Sequence, residues 1–433
     1  MLPLVAPIFA QLITLGVADR SEVRYLRQEA DKLTPAVQRW EASTNPDVRL
    51  SFRTRRSTLT LAYVPSLLIT PLDHPPRQRL LFHNIRLLES YTWQRTTLSF
   101  SSNVGFGKVN LRAAGLQAPV TGLVPTDTTT TPAQPNQTPQ DPNAPGTPAT
   151  PTTPGTATPG TTTQPGQAGL VDKIVQHIAW SSTLSLAHNL TRRWTLGSFV
   201  GYSIDGGLDA ASAKAYPFTR GSSVGASSTY TYLLSARHSF ITALNAQQLW
   251  SSNDNNVAAL LGTENWVHVI TPRTRNTAGA GLSVTRFSEA NGRVGVSIFP
   301  TFNATISHEA SVARGFLDLS AGAYAAPALD PVRATVDPRL GTSAVVRWSN
   351  KRFAATASGN AAISLARTAD NANAIDSVNG SLILTYSIVD GFLVDGGVRG
   401  IARSFAGQSS IPPSWAGFVG VTFAYERLLN GSH

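Results

Sequence analysis

Residues 181–202, SSTLSLAHNLTRRWTLGSFVGY, decide the fold. On the first arm Leu184, Leu186 and His188 alternate with Thr183, Ser185, Ala187 and Asn189. Arg192 and Arg193 fill a connection too short for anything but a reversal. On the second arm Trp194, Leu196, Ser198, Val200 and Tyr202 alternate with Thr195, Gly197, Phe199 and Gly201. Period two means a strand with one apolar and one polar face, and the short basic joint makes the pair an antiparallel hairpin. The polar face is built of Ser, Thr, Gly, Asn and Ala, too small and too wet for the core of a soluble sheet. Such a strand divides oil from water.

The unit repeats to the end of the chain. TYTYLLSARHSFITALNA turns at Arg237-His238, NWVHVITPRTRNTAGAGLSV at Pro272–Thr274, and HEASVARGFLDLSAGAY at Ala313–Gly315. SAVVRWSNKRFAATAS turns at Asn350-Lys351, and LILTYSIVDGFLVDGGVRG at Asp390-Gly391. Upstream, VRLSFRT turns at Arg55-Arg56, and residues 79–93 and 95–107 pair around Trp93-Gln94-Arg95. Between the hairpins lie longer, wetter connections at 207–221, 251–256, 289–293, 326–341, 368–377 and 405–414. Tight turns alternating with longer loops are the habit of outer-membrane barrels. Counting arms, with Ile13, Leu15 and Val17 as the first, predicts an all-β, transmembrane, antiparallel up-and-down barrel of about 18 strands, or 16.

Composition agrees. Only 14% of the 433 residues are charged and 42% are hydrophobic, where soluble domains carry about 25% charge. No apolar run reaches the roughly 20 residues of a membrane helix. Cysteine is absent, which removes disulfides, thiol nucleophiles and Cys-metal sites. The net charge of +10 raises nucleic acid as a partner, but the cations recur at tight turns and no recognition motif accompanies them, so none is expected.

Three segments depart from the hairpin pattern. Residues 1–10, MLPLVAPIFA, read as a truncated signal peptide cleaved after Ala10, or else as a buried first strand; the positive n-region is missing. Residues 19–47 carry mixed charge and some helical character broken at Pro35, and are expected to form a loop or a segment tucked into the lumen of a single barrel spanning 11–433. Residues 113–169, dense in Pro and Thr, cannot bury enough apolar surface to order and are expected to be one long disordered loop insertion.

Two sets of residues carry the functional expectations. Arg55, Arg56, Arg95, Arg192, Arg193, Arg237, Arg273, Arg314, Lys351 and Arg352 lie at tight turns, and Trp93, Trp194, Phe240, Phe316, Trp348, Phe353 and Phe392 lie close by. Rings capped by cations predict an interfacial girdle meeting anionic lipid. On the polar parity Arg49, Arg53, Asp318, Arg347, Asp395, Arg399 and Arg403 are the candidate pore-lining charges. They lean basic, which suggests an anion preference or affinity for an anionic polymer. Alternatively they brace the wall in pairs, Asp395 with Arg399 or Asp318 with Arg347. There is no HExxH, GxSxG or P-loop, and no cofactor or metal site is expected. His83, His188 and His268 could be drafted into a Ser/His pair but are more simply interfacial or lumen residues, so no enzyme is expected.

The Arg-rich tight turns, the LxLxY-type arms and the terminal GFVGVTFAY resemble the large Gram-negative outer-membrane barrels of myxobacterial type, with about 18 strands. The chain departs from them in running on as ERLLNGSH, which leaves Phe423 or Tyr425 as the insertion signal. The resemblance implies a place in the outer membrane and, since some of those proteins serve polysaccharide secretion, a periplasmic or outer-membrane export partner. The reading is a monomeric pore or conduit for hydrophilic solutes or a secreted polymer such as polysaccharide. A plugged interaction barrel, filled by 19–47 and presenting surface loops, is the alternative; a soluble secreted all-β protein is a second.

Overall fold

The computed structural model describes residues 12–28, 37–72, 77–110, 174–209, 220–312, 314–330, 335–365, 375–405 and 411–428. Two of the segments singled out above, 1–10 and 113–169, lie outside them. All regular structure among the described residues is strand: β1 (Leu12–Gln28), β2 (Val37–Arg53), β3 (Ser57–Tyr63), β4 (Ser66–Thr70), β5 (Gln78–Thr92), β6 (Thr96–Asn110), β7 (Ile174–Asn189), β8 (Trp194–Gly207), β9 (Gly221–Leu233), β10 (His238–Ser251), β11 (Asn256–Thr271), β12 (Thr274–Ser288), β13 (Val294–Val312), β14 (Gly315–Asp330), β15 (Thr335–Ser349), β16 (Phe353–Ser364), β17 (Ile375–Val389), β18 (Phe392–Phe405) and β19 (Ile411–Leu428).

Apart from β3 and β4, consecutive strands pair antiparallel, and β1 pairs with both β2 and β19, which closes the sheet. β3 and β4 both lie between β2 and β5 and share one position in the wall. Pro65 stands at the break, where a residue without an N–H interrupts the ladder; the amide of Val64 is still bonded, to the Asn84 carbonyl at 2.8 Å. The nineteen strands therefore make an 18-stave barrel. An even wall leaves the starts of β1 and the ends of β19 at the tight-turn end.

Residues 19–28 and 37–47 correct the expectation of a loop or lumen segment. They belong to β1 and β2, which register from Leu12↔Arg53 to Gln28↔Val37. Alternation was hidden because Asp19 and Ser21 sit on the same parity as Val17 and Val23, and the run of Arg, Glu and Leu favours helices where packing does not decide. A lumen plug made of these residues is thereby excluded.

Five of the eight tight turns share one chemistry. A hydroxyl or carboxamide at the start accepts the amide of the residue two positions on: Thr54 from Arg56, Thr191 from Arg193, Ser235 from Arg237, Thr271 from Arg273 and Asn350 from Arg352, at 2.9–3.2 Å. These are Asx- and ST-type turns, and they hold a cation at the tip each time. In the turn at Asp390-Gly391 the glycine has φ 79°, and a Cβ there would run into the Ala424 carbonyl.

One hairpin leaves the wall. β13 and β14 register only from Val312↔Gly315 to Phe302↔Ala325. Beyond that, β13 continues to Val294 beside β12, and β14 continues to Asp330 beside β15. Ala325, Ala326, Pro327 and Ala328 are all buried. A small pocket lined by Leu261, Thr263, Thr301, Asn303, Ala325 and Ala326 shows what covers them: the hairpin leans across the inner faces of β11 to β13.

Candidate functional site

Cross-strand partners share a face, so the pairing carries the two faces around the barrel. Val17, Val23, Leu61, Leu184, Val200, Leu244, Leu282, Ile298, Leu382, Val398 and Val419 lie on the outer one, each between about 40% and 65% exposed. Ser, Thr, Gly, Asn and most charges take the inner one. Large apolar side chains turned outward from a closed wall are the reverse of a soluble core, and the soluble reading fails on this point.

Aromatic rings gather at two heights. Near the tight turns Trp194 stacks on Tyr232 and Tyr230 at 4.0 and 4.6 Å, Tyr91 packs on Trp93 at 4.3 Å, and Trp348 meets Phe353 at 5.7 Å. Phe240 stands between Tyr232 and Trp266, and Phe392 opposite Phe423. Phe316 is placed differently: it shares its face with Asp318 and Arg347, and stands on the lumen side of the mouth, 66% exposed. Its place in the outer belt is taken by Leu317 beside Trp348.

Toward the loop end a second belt appears that the turns gave no signal for: Tyr25 with Trp40 and Trp415 at 5.1 and 5.6 Å, Trp180 with Tyr202 at 5.4 Å, and His83 with Phe106 at 5.1 Å. At about 3.3 Å per residue and a tilt of about 40°, each residue climbs about 2.5 Å. His188 and Trp180, eight residues apart on β7, are thus separated by about 20 Å, close to the roughly 25 Å of an outer-membrane apolar band. The three histidines belong to these belts: His83 bonds the Tyr63 hydroxyl at 2.7 Å, His188 bonds Thr96 at 2.7 Å, and His268 stacks on His238 at 4.5 Å.

The lumen itself has two characters. From β6 to β10 its wall is hydroxyl-rich and neutral over most of its height, with Ser99, Ser101, Ser181, Thr183, Ser227 and Thr229 on the inner face. From β18 through β19 and β1 to β2 it is lined with ion pairs. Arg20 donates to Asp395 at 2.6 Å and to Glu22 at 3.3 Å. Glu41, fully buried, accepts from Arg24 Nε at 2.5 Å, Arg39 Nε at 2.7 Å and the Thr70 hydroxyl at 3.1 Å. Arg49 forks onto Asp47; a further pair lies on β15, where Arg339 Nε donates to Asp337 at 2.9 Å.

The expected pore-lining charges fall into place as follows. Arg49, Arg53, Asp318, Arg347, Asp395 and Arg399 are on the lumen face. Arg403 occupies the same parity of β18, opposite Ser377. Asp395 pairs with Arg20, not with Arg399 on its own strand, because two residues four apart on one strand are too far from each other to meet. The Arg399 guanidinium instead lies over the Phe418 ring, 4.7 Å from its centroid. Asp318 and Arg347 face each other in register across β14 and β15. The sequence missed Arg20, Glu22, Arg24, Arg39 and Glu41, all within the segment taken for a loop. Their own alternation along β1 and β2 was the available signal.

The chain was compared with known proteins. The FrpB iron transporter from Neisseria meningitidis (F3-3 variant) superposes with a TM-score of 0.51 at 11% identity, over 90% of this chain and 62% of that one. The outer membrane protein OpdK from Pseudomonas aeruginosa gives 0.44 at 9% identity, over 97% of this chain and 100% of that one. OccAB4 from Acinetobacter baumannii gives 0.44 at 10%, over 97% and 100%. At these identities the likeness is one of fold. No curated protein sequence matches the chain. A family model does match, over residues 8–422: that of the EpsX exopolysaccharide export family.

Proposed function

The chain belongs to the EpsX exopolysaccharide export family, and from that premise we propose that its lumen carries a polysaccharide across the outer membrane. The supporting observation is the division of faces in a closed 18-stave wall, apolar outside between two aromatic belts and hydroxyl-rich inside. A wall of 16 to 18 strands leaves an aqueous channel. Hydroxyls and carboxamides along β6 to β10 exchange hydrogen bonds with sugar hydroxyls and with water at similar cost, so a polymer slides without a deep minimum. The ion-paired side holds its charges to itself and braces the wall. The protein works as a conduit, not a catalyst, as a single barrel in outer-membrane lipid. A periplasmic or outer-membrane export partner delivers the polymer. The likeness to barrels of myxobacterial type belongs to the same reading.

The test is reconstitution. Purified protein in planar bilayers should conduct, and in vesicles should pass neutral dextrans up to a size limit. A sealed barrel under all conditions would leave only a structural role.

A further inference from the structure

The eight tight turns hold ten of the 35 basic residues of the chain and one of its 25 acidic residues, Asp390. They carry a charge of +9 out of a total of +10. All ten side chains are exposed. The opposite rim is balanced: its described loop residues include Arg77, Arg220 and Arg293 against Asp209, Asp254 and Glu289. Among the described residues the barrel therefore has a one-ended charge distribution, positive at the end where β1 starts and β19 finishes. In the five capped turns the arginine is fixed at the tip by its own backbone amide, so the placement follows from turn chemistry repeated around the circumference.

We propose that this collar collects a polyanion, a polysaccharide bearing carboxylate or phosphate groups, at the tight-turn mouth and feeds it into the lumen. This rests on the conduit reading above and adds the class of polymer and the end at which it enters. Anionic lipid head groups reach only the outward side of the collar. Arginine also continues onto the lumen face at the mouth, at Arg53, Arg275 and Arg347, where no lipid reaches. There it is offset by Glu309, Asp318 and Glu426, so the passage behind the rim is close to neutral. Attraction at the entrance with near neutrality beyond it speeds capture without trapping, the condition for throughput in any charged pore. Phe316, turned into the mouth, offers a ring against which the apolar face of a pyranose can rest.

Single channels in planar bilayers test this, with polygalacturonate oligomers and size-matched neutral dextrans as probes. The chain has no cysteine, so Gln94→Cys and an impermeant thiol reagent identify the chamber that faces the turns. Polygalacturonate blockades should be at least about tenfold more frequent from the turn side than from the loop side at about 0.1 M salt, and the ratio should collapse toward one at 1 M. In the variant R55Q/R56Q/R192Q/R193Q the excess should fall severalfold while dextran events stay unchanged. Equal frequencies from both sides in the wild type, or an excess untouched in the variant, overturns the collar. Loss of the variant's affinity for anionic vesicles with blockades unaltered makes the collar a lipid anchor instead. Dextran passage without polygalacturonate asymmetry refutes this inference alone; no passage of either probe refutes the conduit with it.

Discussion

Glu41→Gln is the most informative single change in the wall. The Glu41 carboxylate lies wholly out of solvent, between Arg24 and Arg39, whose side chains are 12% and 6% exposed. It also takes the Thr70 hydroxyl, which ties β4, the upper piece of the broken stave, to β2. With all three ionic groups this well buried, solvent screening gives little relief. Removing one partner of such a pair leaves buried charge uncompensated and costs about 3–5 kcal/mol. That is roughly two to four orders of magnitude in the unfolding equilibrium constant. Urea unfolding of the barrel in lipid vesicles, followed by tryptophan fluorescence, reads this directly. Replacing the whole network, R24M/R39M/E41L, should restore most or all of the loss, since apolar residues of similar volume often replace buried ion pairs at no cost. A Glu41→Gln penalty under about 1 kcal/mol, or a triple variant less stable than the single one, would show that these charges are reached by water and that the account of this corner is wrong.

Three further outcomes follow from named contacts. Gly279 lies between the Asn265 and Asn303 carboxamides, so a Cβ there meets both; Gly279→Ala should cost about 1–3 kcal/mol in the same urea assay, and a neutral result would show the carboxamides swing clear. Asp395→Asn leaves Arg20 with Glu22 as its remaining carboxylate partner and adds one positive charge to the lumen, so the reversal potential in a salt gradient should move toward anion preference; movement toward cations contradicts the placement. On the outer face, about 17 Å above Leu12 by the climb per residue worked out above, Asp19 accepts from Ser21 and Thr44 at 3.1 and 2.9 Å. The variant D19L/S21V/T44V should be more stable in lipid by up to about 2 kcal/mol, and a loss of stability would mean that this face does not meet acyl chains.

Much of this architecture could be read from period two alone. In strands such as β7, β8 and β19 most residues of one parity are large and apolar, and their hairpins and the count of 18 staves were legible. β1 and β2 were only partly so, because Asp19 and Ser21 interrupt the apolar parity, and a local pattern cannot show that Thr44 from the next strand will satisfy them. The site was harder. Parity put six charges on the lumen face, but their partners come from strands far apart in sequence, as with Arg20 and Asp395, 375 residues apart. Phe316 was misplaced because the turn ahead of it, where Arg314 takes φ 62°, reverses which parity faces in. The belt near the loops went unseen because Tyr25 and Trp40 lie in the segment expected to be a loop, and Trp415 joins them only when β19 closes on β1.

Where the β14–β15 hairpin bends away, residues 294–301 keep β12 as their partner and, among the described residues, have none on the other side. Elsewhere the bore is dictated by how many staves are laced together. Here the lacing stops partway up, and movement of the hairpin about its base at Ala325 and Pro338 would break no rung between β13 and β14. A thread thicker than the resting aperture would need to displace only this flap.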